Sequence, residues 1–244
     1  MKCVARKKIV FIIVEGPSDD EAIGTVFSKI LNSNEVYIHI AHGDITTQTG
    51  TNSSNILSKI GKIVQKYAKD NHFRRDDFKE IIHIVDTDGT YIPDEKVIED
   101  KFISDTIYYT ERIVTSNKNK IVNRNKQKSE VLEKLKVCKN IWTSIPYSCY
   151  YMSCNLDHVL YDEMNSTDDE KENNALKFAR KYRDNINDFI LFITESDFAV
   201  IDDYSESWKY IKEELHSLER NTNLGIYLLP FKTINISNNI IEKT

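Results

Sequence analysis

Three short apolar runs punctuate an otherwise polar chain. They are Ile9-Val10-Phe11-Ile12-Ile13-Val14, Val36-Tyr37-Ile38-His39-Ile40-Ala41 and Ile81-Ile82-His83-Ile84-Val85. Each is rich in β-branched residues and too short for a buried helix, so each predicts a strand. Between the first two, Ala22, Ile23, Val26, Phe27, Ile30 and Leu31 recur at helical spacing, predicting a helix from about Asp19 with Ser18 as its cap. Between the last two, Ile56, Leu57, Ile60, Ile63, Val64 and Tyr67 predict an amphipathic helix opened by Ser53 or Ser54. The polar stretch 44–54 reads as a loop. The order β-α-β-α-β is that of a parallel, right-handed α/β unit.

Beyond Gly89 the pattern loosens. Residues 91–130 give no clear period, and Ser129 is expected to cap a short helix to Lys136. The apolar and aromatic stretch Ile141–Tyr151 suggests a strand. Residues 155–164, 168–185 and 205–218 read as helices. Phe189–Ile193 fits a strand or a helix, and Ile226–Leu229 a last element. No internal repeat and no Pro/Gly/Ser-rich linker marks a boundary.

Composition narrows the class. Gly (7) and Pro (4) are scarce among 244 residues and 29 % are charged, which favours a helix-rich α/β protein. The net charge of −5 argues against a general nucleic-acid coat, while leaving room for a local basic groove. Cys3, Cys138, Cys149 and Cys154 show no CxxC spacing, so free thiols are expected rather than structural zinc. The basic start Met1–Lys8 precedes an apolar run that ends at Glu15 without a cleavage site, so it does not read as a signal peptide. No stretch approaches a membrane span, and a cytoplasmic protein is expected.

The chemistry lies where strands stop. The first run ends at Glu15-Gly16, with Asp19 and Asp20 close behind; the third ends at Asp86-Thr87-Asp88-Gly89. Strand ends in an open parallel sheet gather at one edge, where ligands bind. Residues two apart on a strand share a face, so Asp86 and Asp88 can reach one ion. Mg²⁺ takes oxygen ligands and keeps several waters, so two or three carboxylates suffice. Asp86 and Asp88 are thus candidate metal ligands, and Glu15 a ligand or general acid/base. Asp19 could join the metal shell or simply complement the helix dipole. Gly16 would let backbone amides approach a phosphate.

These residues carry a family resemblance. A strand-end Glu15-Gly16, a helix, a second strand ending at Gly43, a further helix and then Asp86-Thr87-Asp88 resemble the Toprim domain of primases, topoisomerases and nucleases. The resemblance covers roughly residues 9–90. More loosely, Tyr151-Met152-Ser153-Cys154-Asn155-Leu156-Asp157-His158 and the helix with Ala175, Phe178 and Ala179 look like the following half of OLD-type and RloB-like proteins. The resemblance implies a Rossmann-like central parallel sheet flanked by helices, with a catalytic core in residues 1–110. A helix-rich C-terminal half, 111–244, would pack on it as one unit. It implies a Mg²⁺- or Mn²⁺-dependent nuclease acting on DNA or RNA in phage defence. No Walker A motif is present, so any ATPase would be a separate partner.

Other readings stay open. Arg112, Lys118, Lys120, Arg124, Lys126 and Lys128 form a segment without an acidic residue, either a solvated loop or a phosphate-contacting surface. Glu195 and Asp197 are candidates for a further acidic motif. His158 reads as a packed helical residue, and Tyr147, Tyr150 and Tyr151 as core. A Toprim-like fold could also serve as a non-catalytic interaction or sensor subunit. Finally, Asp86-Thr87-Asp88-Gly89-Thr90 resembles the first motif of haloacid-dehalogenase-type phosphatases, with Asp86 as nucleophile, Asp88 as acid/base and Asp202-Asp203 as the later acidic pair.

Overall fold

A computed structural model describes residues 8–31, 36–43 and 45–232. The predicted β-α-β-α-β unit is present as β1 (Lys8–Val14), α1 (Pro17–Ile30), β2 (Val36–His42), α2 (Ile56–Asp70) and β3 (Phe78–Asp86). A second sheet follows, made of β4 (Val97–Glu99), β5 (Ile107–Tyr109) and β6 (Arg112–Thr115). The chain then continues through α3 (Lys118–Lys136), β7 (Asn140–Ile141), β8 (Ile145–Met152), α4 (Leu156–Tyr161), α5 (Asp168–Tyr182), α6 (Ile186–Glu195) and α7 (Tyr204–Tyr210). A further helix occupies 225–232.

The main sheet has the order β2-β1-β3-β8-β7. β2, β1, β3 and β8 run parallel, whereas β7 pairs antiparallel to β8, so the sheet is mixed rather than wholly parallel. Both faces are covered, which explains why β1 is apolar throughout rather than alternating. Val10, Ile12 and Val14 pack with residues of α1, α5 and α6; Ile9, Phe11 and Ile13 pack with α2, α3 and α7. β8 belongs to the C-terminal half yet lies beside β3 in the same sheet. Residue 110, the expected division between the halves, falls in the turn between the antiparallel partners β5 and β6.

Several local expectations are corrected. α1 begins at Pro17 rather than Asp19, because proline is pre-shaped for a first helical turn. Gly16 takes the cap position, and its N–H donates to the Asp19 carboxylate at 2.7 Å. That bond uses the amide expected to meet a phosphate. The segment from Arg112 to Lys128 is neither a loop nor shapeless: Arg112 lies in β6 and the rest enters α3. Asn117 caps that helix, accepting from the Lys120 N–H at 3.0 Å. Phe189–Ile193 resolves as part of α6, and the helix expected over 205–218 stops at Tyr210. Tyr147, Tyr150 and Tyr151 are buried in the core as expected. Among the described residues, no helix is long and apolar enough to cross a membrane.

Candidate active site

The connection after β1 leads to β2 on one side, while the connection after β3 leads to β8 on the other. β1 and β3 are neighbours, so the crevice at their carboxyl ends is a topological switch point, the usual ligand position in such sheets. Glu15 follows the last residue of β1 and Asp86 is the last residue of β3. Glu15, Asp19, Asp86 and Asp88 line one open cleft of about 680 Å³, whose lining also includes Tyr108 and Lys171.

Asp88 arrives by a route other than strand alternation. The strand ends at Asp86, and Asp88 and Gly89 take left-handed backbone angles, with φ of 49° and 64°. Asp and Gly are among the residues that tolerate this region best. The turn is held from two sides. From the segments after β8 and after α7, the Asp88 N–H donates to the Cys154 carbonyl at 2.7 Å, and Thr87 Oγ1 donates to the Ser217 carbonyl at 2.8 Å while accepting from the Cys154 N–H at 2.9 Å. From α3, Arg124 Nη2 donates to the Asp88 carbonyl at 2.7 Å and Arg124 Nη1 to Tyr108 Oη at 2.5 Å. Thr90 Oγ1 donates to the Asn125 carbonyl at 2.8 Å.

Glu15 is drawn inward. Its Oε1 accepts from the Asp86 N–H at 3.1 Å and from Lys128 Nζ at 3.3 Å. Lys128 Nζ also pairs with Asp88 Oδ2. The Lys128 side chain is 0 % exposed, so it cannot contact a phosphate backbone in solvent as its sequence context suggested. It is a bridging cation between two strand ends. Arg124 likewise is a half-buried clamp on the turn. Of the other basic candidates, Lys120 and Lys126 are exposed and Lys118 is half-buried. The signal for Lys128 was its spacing: Ile121, Asn125, Lys128, Leu132 and Leu135 lie on the buried stripe of α3. A lysine on such a stripe requires a carboxylate partner.

Charge is in excess at this edge. Burial pushes the Asp86 carboxyl well above its ordinary range, and Glu15, Asp19 and Asp88 push it further, against a smaller opposing pull from Lys128. Carboxylate oxygens are the ligands that Mg²⁺ and Mn²⁺ prefer, and an excess of them is relieved by a divalent cation. The donor set therefore fits such an ion in chemistry. Among the described residues, no group of three or more His, Cys, Asp or Glu side chains is arranged to hold a metal.

The remaining candidates lie elsewhere. Glu195 pairs with Lys232 Nζ at 2.5 Å, and Asp197 is an exposed turn residue. Asp203 caps α7, accepting from the Ser205 N–H at 2.8 Å, and neither it nor Asp202 reaches the cleft. His158 is buried on α4 with its pKa lowered by burial. Cys138, Cys149 and Cys154 are free thiols. Lys171 and Tyr108 enter the cleft from α5 and β5, and no local motif had marked either. No family model, curated protein or solved structure matches this chain.

Proposed function

We propose that this chain is a Toprim-like nuclease, dependent on Mg²⁺ or Mn²⁺, that cleaves nucleic-acid phosphodiesters. The observation carrying this reading is the convergence of Glu15, Asp19, Asp86 and Asp88 in one cleft at the switch point between β1 and β3. Asp86 and Asp88 are the residues to hold the ion, with Asp19 beside them. When bound, such an ion supplies polarisation of a phosphoryl oxygen and a lowered pKa for a coordinated water. Glu15 orients the Asp86 backbone through its 3.1 Å hydrogen bond and holds Lys128 in place. Lys171, in the cleft lining, is positioned to meet a substrate phosphate. Lys120 and Lys126, exposed on α3, are suited to contacts along a nucleic-acid backbone, which position without reading sequence.

The family resemblance extends the proposal to a cytoplasmic phage-defence effector working with a separate ATPase. The test is cleavage of DNA and RNA by purified protein with Mg²⁺ or Mn²⁺, comparing Asp86→Asn and Glu15→Gln. Loss of cutting with retained fold is the expected result. Cutting that survives both changes would remove this cleft from the reaction.

One observation favours a second reading, a non-catalytic Toprim-like subunit. Lys128 already compensates Glu15 and Asp88 within the protein. A chain that binds no Mn²⁺ in a calorimetric titration would favour that reading.

A further inference from the structure

Lys128 is more than a structural ion pair. Burying an ammonium is costly unless carboxylates compensate it closely. Here the compensation comes from Glu15 at the end of β1, at 3.3 and 3.5 Å, and from Asp88 beyond β3. A cation bridging carboxylates from two strand ends stands where one ion of a two-ion site would sit. In two-ion sites the metals lie roughly 3.5–4 Å apart and clamp the attacking and leaving oxygens together. Glu15 and Asp88, two carboxylates that such a pair of ions would draw on, are engaged by Lys128.

Carboxylates outnumber cations here even with Lys171 counted in the cleft lining. Glu15, Asp19, Asp86 and Asp88 present four carboxylates to the cleft. Lys128 contacts two of them, while Arg124 is directed to the carbonyl of Asp88 rather than its carboxylate. Asp86 donates its backbone N–H to Glu15 at 3.1 Å and its carboxyl is crowded by Glu15, Asp19 and Asp88, while Asp19 accepts from the Gly16 N–H at 2.7 Å. The ammonium is also fixed. Lys128 shares the buried stripe of α3 with Ile121, Asn125, Leu132 and Leu135, and Val131 and Leu132 are 0 % exposed.

We propose that Lys128 is the resident second cation of this site, so that the chain takes a single divalent ion, held by Asp86 and Asp88 with Asp19 beside them. The inference rests on the metal-dependent reading above. An ammonium supplies positive charge and three N–H donors, enough to stabilise an anionic oxygen. It cannot activate water as a Lewis acid does, so that task is left to the one metal.

The test is the number of Mn²⁺ ions bound per chain, measured by calorimetry and equilibrium dialysis on the full-length protein. The wild type is expected to bind one, Lys128→Arg one, Lys128→Met two and Asp86→Asn none. Two ions on the wild type, or one on a folded Lys128→Met protein, would overturn the proposal while leaving the nuclease reading intact. If Lys128→Met does not fold without metal, the wild-type and Lys128→Arg stoichiometries decide the matter alone. No Mn²⁺ bound to the wild type would remove the metal-dependent reading itself, and this proposal with it.

Discussion

Asp157 offers a test of the electrostatics behind the cleft. It lies in the first turn of α4 and is 6 % exposed. Burial raises its carboxyl from an ordinary 3.8 to about 6; Lys171 opposes the shift, and Asp19 and Glu163 add to it. The folded chain therefore keeps a proton that the unfolded chain loses. The associated stability is full below the unfolded pKa of 3.8 and is lost as pH rises through about 6. At about 1.4 kcal/mol per pH unit, a shift of this size sets a ceiling of about 3 kcal/mol. Screening by nearby solvent brings the expected loss to about 2 kcal/mol. Asp157→Asn keeps the shape and removes the titration. Urea unfolding of both proteins between pH 4 and pH 8 isolates the effect, because other carboxylates titrate in common and cancel. The variant should gain about 2 kcal/mol over the wild type across that range, equivalent to roughly 4–8 °C in melting temperature. A difference that stays constant with pH would refute the assignment.

Thr87→Val removes both bonds made by Thr87 Oγ1 but leaves the Cys154 N–H and the Ser217 carbonyl paired with each other at 3.0 Å, so it should cost about 0.5–1.5 kcal/mol; an unchanged urea midpoint would show that the Thr87 bonds carry no net stability. Gly89→Ala faces a φ of +64° and a Cβ 2.5 Å from Leu218 Cδ2, so it should destabilise by about 1–3 kcal/mol and weaken Mn²⁺ binding by displacing Asp88. Retained stability together with retained binding would mean the turn relaxes freely. Lys120→Ala and Lys126→Ala, both at exposed positions, should leave melting unchanged and each lower the salt slope of nucleic-acid binding by about one contact. An unaltered slope would take α3 out of the substrate path.

The strands that carry the acidic residues were legible because burial on both faces leaves an unbroken apolar run with carboxylates at its end. β1 and β3 needed no more than this to be read as strands, but right-handed crossovers allow either β1-β2-β3 or β2-β1-β3, and it is the structure that makes β1 and β3 neighbours. Lys128 was not legible by the same means. Two of six inward positions on α3, Asn125 and Lys128, are polar, so the amphipathic period dissolves into a basic stretch. β5 and β7 are three and two residues long, and strands so short carry too little pattern to be read. Asp86 and Asp88 were rightly placed in one cleft by an argument that does not apply to them. The strand has ended by Asp88, and a left-handed turn supplies what alternation was expected to supply.

The long crossover between β3 and β8 gives this arrangement its sense. A parallel connection needs little more than one helix. Here it also contains the β4–β6 sheet, whose Tyr108 forms part of the cleft wall and anchors Arg124. Within α3, the labour is divided along the axis. Val131, Leu132 and Leu135 join the core beneath the sheet, while Arg124, Asn125 and Lys128 address the turn from Asp86 to Thr90. The same helix that buries apolar surface therefore delivers a fixed positive charge to the one sheet edge where carboxylates accumulate. Packing energy in the last two turns of α3 is what allows the Lys128 ammonium, just ahead of them, to be held without solvent, and that ammonium is what allows Glu15 and Asp88 to approach each other.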